Sequence, residues 1–93
     1  MAHRVVWSAR AIADVNSIAS YIAANSSSYA GTVVRKIVMA TRSLSNFPFS
    51  GRMVPEADDH NLREVFAYSY RIIYRVESEA VVIVAVIHGK RMI

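Results

Sequence analysis

Three extended runs crowd the last third of this chain, and the connections between them are too short to hold a helix. They read NLREVFAY from Asn61, YSYRIIYRVE from Tyr68 and AVVIVAVIHGKR from Ala80. Parallel neighbours in a sheet need a crossover of about a dozen residues or more, so these runs must meander antiparallel. The middle run alternates: Tyr68, Tyr70, Ile72, Tyr74 and Val76 share one face, and Ser69, Arg71, Ile73 and Arg75 share the other. Two arginines therefore project from one side of the sheet, and the alternation places them near His88 at the end of the next run. The run Val81 to Ile87 is apolar at both parities. Both of its faces must be covered, one by helices and the other by a partner.

The first half supplies the helices. His3 to Trp7 reads as a short strand, with Val5 and Trp7 on one side. Ser8 then stands where a hydroxyl can cap a helix whose stripe is Ile12, Val15, Ile18, Ala19 and Ile22, ending near Ala24. Asn25 to Ser28 is a polar turn that caps a second helix reaching about Asn46, with Ala30, Val33, Val34, Ile37, Thr41 and Leu44 inward. Phe47-Pro48 stops it, because proline lacks the amide proton and restricts the residue before it. Residues 48 to 60 read as an irregular loop in which Gly51 permits a special turn geometry, and Phe47 and Phe49 seal the open end of the core. The order is strand, two-helix hairpin, three-strand meander. It implies one α+β domain over residues 1–93, with the helical hairpin packed on a mostly antiparallel sheet.

Composition limits the chemistry. With 93 residues, 54% of them hydrophobic and 19% charged, the chain folds rather than remaining disordered, and it buries roughly two thirds of its unfolded surface. It has no cysteine, which excludes disulfides and thiolate catalysis, and His3, His60 and His88 lack metal-ligand spacing. No metal and no cofactor is expected. The apolar stretch Ala80–Ile87 is far short of the roughly 20 residues that span a bilayer, and no signal-peptide core follows Arg4. A cytoplasmic protein without a membrane contact is expected. The net charge of +4 favours an acidic partner, with Glu56, Asp58 and Asp59 forming a short acidic patch before the final basic segment.

Few side chains offer reactivity. Arg71 and Arg75 can grip a phosphate or carboxylate through paired bonds, or simply pair with Glu64, Glu77 or Glu79 across strands. His88 precedes Gly89-Lys90-Arg91 and can act as an acid or base in RNA cleavage beside those cations. No carboxylate pair has the spacing of a metal-dependent nuclease. Asp14 reads as an exposed charge paired with Arg10 one turn earlier. The tyrosines of the middle run can stack bases, but their parity with Ile72 and Val76 favours the core. The basic helix face Arg35, Lys36 and Arg42, together with Arg52, can steer an anionic partner, yet neither helix reads as a DNA-recognition helix.

The combination of Trp7-Ser-x-x-Ala11-x-x-Asp14, Phe47-Pro-x-x-Gly51-Arg-x-Val-Pro-Glu56, Leu62-Arg-Glu64, Tyr70-Arg-Ile-Ile-Tyr-Arg-Val76 and Val86-Ile-His-Gly-Lys-Arg91 resembles the ParE branch of the RelE/ParE toxin superfamily. The resemblance implies a compact α+β toxin of a toxin–antitoxin system, wrapped by the C-terminal segment of a cognate antitoxin in a hetero-oligomer. ParE-like members inhibit DNA gyrase, whereas RelE-like members enter the ribosome and cleave mRNA. Arg71 matches the strand arginine of the ribonucleases and His88 falls near their histidine, but Gly89 replaces the neighbouring tyrosine. The chain is therefore expected to inhibit DNA gyrase without chemistry of its own, with Arg52, Arg63, Arg71, Arg75, His88, Lys90 and Arg91 contacting target or antitoxin. A ribosome-dependent mRNA interferase using Arg71 and His88, and a non-toxic antitoxin-binding relative, are the alternatives.

Overall fold

The computed structural model describes residues 2–93. Strand β1 (Arg4–Trp7) leads into helices α1 (Ala9–Ala23) and α2 (Ser27–Arg42), and a 3-10 turn (Ser43–Ser45) completes the second helix. Strands β2 (Arg52–Met53), β3 (Leu62–Ala67), β4 (Tyr70–Val76) and β5 (Ala80–His88) follow. The sheet runs β1-β5-β4-β3-β2, with β1 parallel to β5 and every other pairing antiparallel. Both helices pack on one face. Among the described residues, no helix is long and apolar enough to cross a membrane.

Local chemistry sets the helix ends as the sequence implies. The Ser8 hydroxyl accepts from the Ala11 amide at 3.1 Å, and Ser26 accepts from Tyr29 at the start of α2. Ser8 also donates to the Val84 carbonyl at 3.1 Å, so one side chain caps the helix and fastens it to β5. The Ser8→Ala variant should therefore lose about 0.5–2 kcal/mol, the range for a cap, measured as a lowered urea midpoint. An unchanged midpoint would show that neither bond matters.

The helix stripes are phased slightly differently from the sequence reading. Ala11 is fully buried with Val15, Ile18 and Ile22 packed below it, whereas Ile12 is 50% exposed. Ser8 fixes where the helix begins, and that phase turns Ile12 to the margin. On α2 the inward residues are Ala30, Val33, Ile37 and Thr41, followed by Leu44 in the 3-10 turn, while Val34 lies at the α1–α2 seam beside Ala19 and Ala23.

A bulge explains why β5 is apolar at both parities. The β4–β5 register runs Ile73↔Ala85 and then Tyr74↔Ile83, skipping Val84. Val81, Ile83 and Val86 thus face the helices, while Ala85 and Ile87 face the opposite side. The outer cover is not a partner, as expected from sequence, but Val54 and Ala57 of this chain's own loop, packed with Leu62 and Ile73.

That loop is also more ordered than residues 48 to 60 implied. Its Arg52–Met53 segment pairs with Glu64 and Arg63 as a fifth strand. Phe47 and Phe49 do not seal the core; they are 66% and 45% exposed. The seal is Tyr74, fully buried, whose hydroxyl donates to the Pro48 carbonyl at 2.7 Å and accepts from the Gly51 amide at 3.0 Å. Burial pushes the Tyr74 phenol up from its usual range, keeping that hydroxyl protonated. Gly51 does not take a positive φ. Its lack of a Cβ serves close approach instead.

Tyr68 leaves the alternation altogether. Ala67 and Tyr70 are paired, so Tyr68 and Ser69 form the two-residue turn, and Tyr68 has φ 54° and is 53% exposed. Hairpin turns of this length demand positive φ. Tyr68 supplies it where glycine would be easier, which places its ring beside Tyr29 at 6.5 Å between centroids rather than in the core.

Candidate functional site: a closed charge cluster and an exposed basic rim

Sheet pleating decides which of the candidate residues can meet. On the outer face, Arg71 stands between Phe66 and Ile87 in register, and Glu64 lies opposite Arg52. Tyr70, across from His88, faces the helices. Arg71 and His88 are thus on opposite faces of the sheet. This corrects the expectation that His88 stands near the arginine pair, because pleating sends adjacent residues to opposite sides.

Arg71 is 5% exposed, and all three nitrogens of its guanidinium are engaged within the fold. Nε donates to Glu64 Oε1 at 2.7 Å, and Nη2 reaches the same oxygen at 2.6 Å and Glu56 Oε1 at 2.8 Å. Nη1 donates to Glu56 Oε2 at 2.8 Å and to the backbone carbonyl of Arg91 at 2.8 Å. The sequence reading of Arg71 as a free fork for phosphate or carboxylate meets a guanidinium already filled by two carboxylates of its own chain. Glu64, also fully buried, accepts a further bond from Arg52 Nε at 2.5 Å. Two arginines against two glutamates leave the cluster with no formal charge. The residues were visible in Val-Pro-Glu56 and Leu-Arg-Glu64; their convergence depends on sheet register.

The cluster fixes protonation states. The Arg71 guanidinium, by hydrogen bonding, holds Glu56 down from the ordinary 4.5 to about 2. Hydrogen bonding to Glu56 in turn raises Arg71 above the usual arginine range. Beside it, the Arg75 bond at 2.8 Å lowers the Asp59 carboxyl. A carboxylate with a depressed folded-state pKa contributes stability above its unfolded value, and that contribution disappears as pH falls through the folded value. The urea midpoint should therefore hold above about pH 5 and fall between 4.5 and about 2, with Glu56→Gln flattening part of that descent. An identical acid limb in the variant would remove Glu56 as its source.

The other candidates divide between loop fastening and exposure. Arg63 donates to the His60 and Gly51 carbonyls at 2.9 and 3.1 Å and lies over the Phe49 ring at 5.2 Å. It ties the loop rather than projecting. Arg52 and Arg75 remain accessible, with side chains 59% and 44% exposed despite their ion pairs, and Arg52 stacks over Phe66 at 5.1 Å. His88, Lys90 and Arg91 are exposed at the end of β5. His88 meets Tyr70 edge-on at 6.1 Å in a groove shared with Arg10, Asp14 and Tyr21.

Asp14 has a role that its spacing from Arg10 concealed. Besides that 3.5 Å ion pair, its carboxylate accepts from the Val86 amide at 2.9 Å. β1 ends at Trp7, opposite Ile83, so the edge of β5 is bare from Val84 onward. Ser8 and Asp14 satisfy its first polar groups. Among the described residues, no group of three His, Asp or Glu side chains is arranged to hold a metal ion.

The family pattern described as the ParE toxin of type II toxin-antitoxin system, parDE, matches residues 5–93. The chain belongs to the ParE toxin family. No curated protein sequence matches it. A solved structure of the chromosomal ParDE toxin–antitoxin system from P. aeruginosa is similar to this toxin with TM-score 0.79 at 19% identity, covering 95% of this chain and 97% of the other. The RelBE2 toxin–antitoxin complex from Mycobacterium tuberculosis gives TM-score 0.66 at 21% identity, covering 95% and 99%. At these identities the likeness is one of fold. This ParE-family toxin shares the N-terminal strand, two helices and mostly antiparallel sheet with both.

Proposed function

We propose that this ParE-family toxin arrests growth by binding DNA gyrase through the exposed basic groups Arg52, Arg75, Lys90 and Arg91, carries out no reaction itself, and is neutralised by a cognate antitoxin. One observation carries the choice of binding over cleavage: Arg71 and His88 lie on opposite faces of the sheet, and all three guanidinium nitrogens of Arg71 are already bonded to groups of this chain. A ribonuclease needs its proton-transfer group and its anion-stabilising group around the same phosphate. The antitoxin partner is supported by the toxin–antitoxin complexes that share the fold. The bare edge of β5 and its groove offer such a partner both backbone and side-chain contacts.

Purified toxin freed of antitoxin should block supercoiling by gyrase or trap cleaved plasmid, and antitoxin should reverse the effect. Loss of both effects with folded protein rejects gyrase as the target. Toxin-dependent cuts in ribosome-bound message, abolished by His88→Ala, would establish the interferase reading instead. Tight antitoxin binding without growth arrest would mark a non-toxic relative.

A further inference from the structure

We infer that Glu56 and Arg71 are positioning residues that hold the C-terminal segment Gly89–Ile93 against the outer face of the sheet and so fix where Lys90 and Arg91 are presented. The inference rests on the proposed reading that those two cations contact the target. Its basis is the direction of the cluster's outermost bonds. Arg71 Nη1 binds the backbone carbonyl of Arg91 at 2.8 Å, and Glu56 Oε2 accepts from the Ile93 amide at 3.4 Å. A carbonyl and an amide are held, not side chains, so the grip leaves the Lys90 and Arg91 cations free for another molecule.

The path of the segment is set from both ends. The Gly89 amide donates to the Ser69 carbonyl at 2.6 Å, extending the β4–β5 pairing past His88, and the Arg91 amide closes a turn onto the His88 carbonyl at 2.9 Å. Beyond that turn the chain has left the sheet, and the remaining anchors are Arg71 and Glu56. A short exposed segment held only at its start would sample many conformations, and ordering it on binding would weaken the complex. Holding its backbone in advance removes part of that cost. Glu64 serves a different end of the same guanidinium, keeping Arg71 aimed along the sheet from below.

The test uses the full chain. Glu56→Gln keeps the shape of the side chain and leaves the buried Arg71–Glu64 pair in place. Hydrogen exchange in the peptide spanning residues 89–93 should speed up at least fivefold, while the amides of Ile72, Val81 and Ile83 keep their protection. The concentration needed for half-inhibition of gyrase should rise at least fivefold. In a Lys90→Ala/Arg91→Ala background, adding Glu56→Gln should change inhibition no further, because the groups it positions are gone. A merely structural role would lower inhibition in both backgrounds. Unchanged exchange in the 89–93 peptide, or an equal loss of inhibition with and without Lys90 and Arg91, overturns the inference. Wild-type toxin that leaves gyrase untouched overturns the target reading instead, and the exchange result then decides the clamp alone.

Discussion

Replacing Arg71 by methionine is expected to destabilise the fold by about 3–5 kcal/mol, the range for removing one partner of a buried ion pair. The methionine fills similar space, so the loss comes from charge. Glu64 would remain buried with Arg52 as its only cation, and Glu56 would lose both bonds from the guanidinium. Urea denaturation at pH 7 measures the loss. Changing Glu64 to glutamine in the same molecule should recover part of it, because the uncompensated buried carboxylate is then neutral. A variant as stable as the parent that loses only target binding would show Arg71 to be the surface fork that its strand position first suggests.

The second large effect belongs to Gly51. A Cβ at this position would stand 2.5 Å from the Glu64 carbonyl oxygen and 2.6 Å from the Tyr74 hydroxyl. The first is backbone in a paired strand and cannot move aside without disturbing β2–β3 pairing. The second is held between the Pro48 carbonyl and the Gly51 amide itself. Gly51→Ala should therefore cost about 3 kcal/mol, the upper end of the range for overpacking. Adding Tyr74→Phe should give little relief, since the clash with the Glu64 carbonyl remains. A Gly51→Ala variant with the parental urea midpoint would mean that the loop rides freely over β3.

The difference between the two glycine readings shows what local pattern can and cannot specify. From sequence, Gly51 suggests an unusual φ; in the fold its role is steric and set by β3 and β4, many residues downstream. The helices were legible because capping and stripe are properties of neighbouring residues: Ser8 and Ser26 cap where they should. The meander was legible because short connections leave no other pairing. Arg71 shows the opposite case. Its parity was readable, and so was Glu64 as a possible partner, but nothing local says that Glu56 returns from the loop to fill the rest of the guanidinium. His88 was misplaced relative to Arg71 because proximity along paired strands was read without the face. Asp14 was read through its four-residue neighbour, whereas its second contact is with Val86 at the open edge of β5.

The parallel pairing of β1 with β5 has a consequence for how the toxin comes into being. The Ser8 hydroxyl meets its Val84 partner across 76 residues, and β5 is the strand that joins β1 to the rest of the sheet. At translation rates of about 5–20 residues per second, β1 emerges and then waits several seconds for the strand it must lie beside. During that interval the nascent chain lacks the strand that joins β1 to the rest of the sheet and lines the groove. Strand order thus builds a delay into synthesis, because no new molecule can complete its sheet until its last strand has been made.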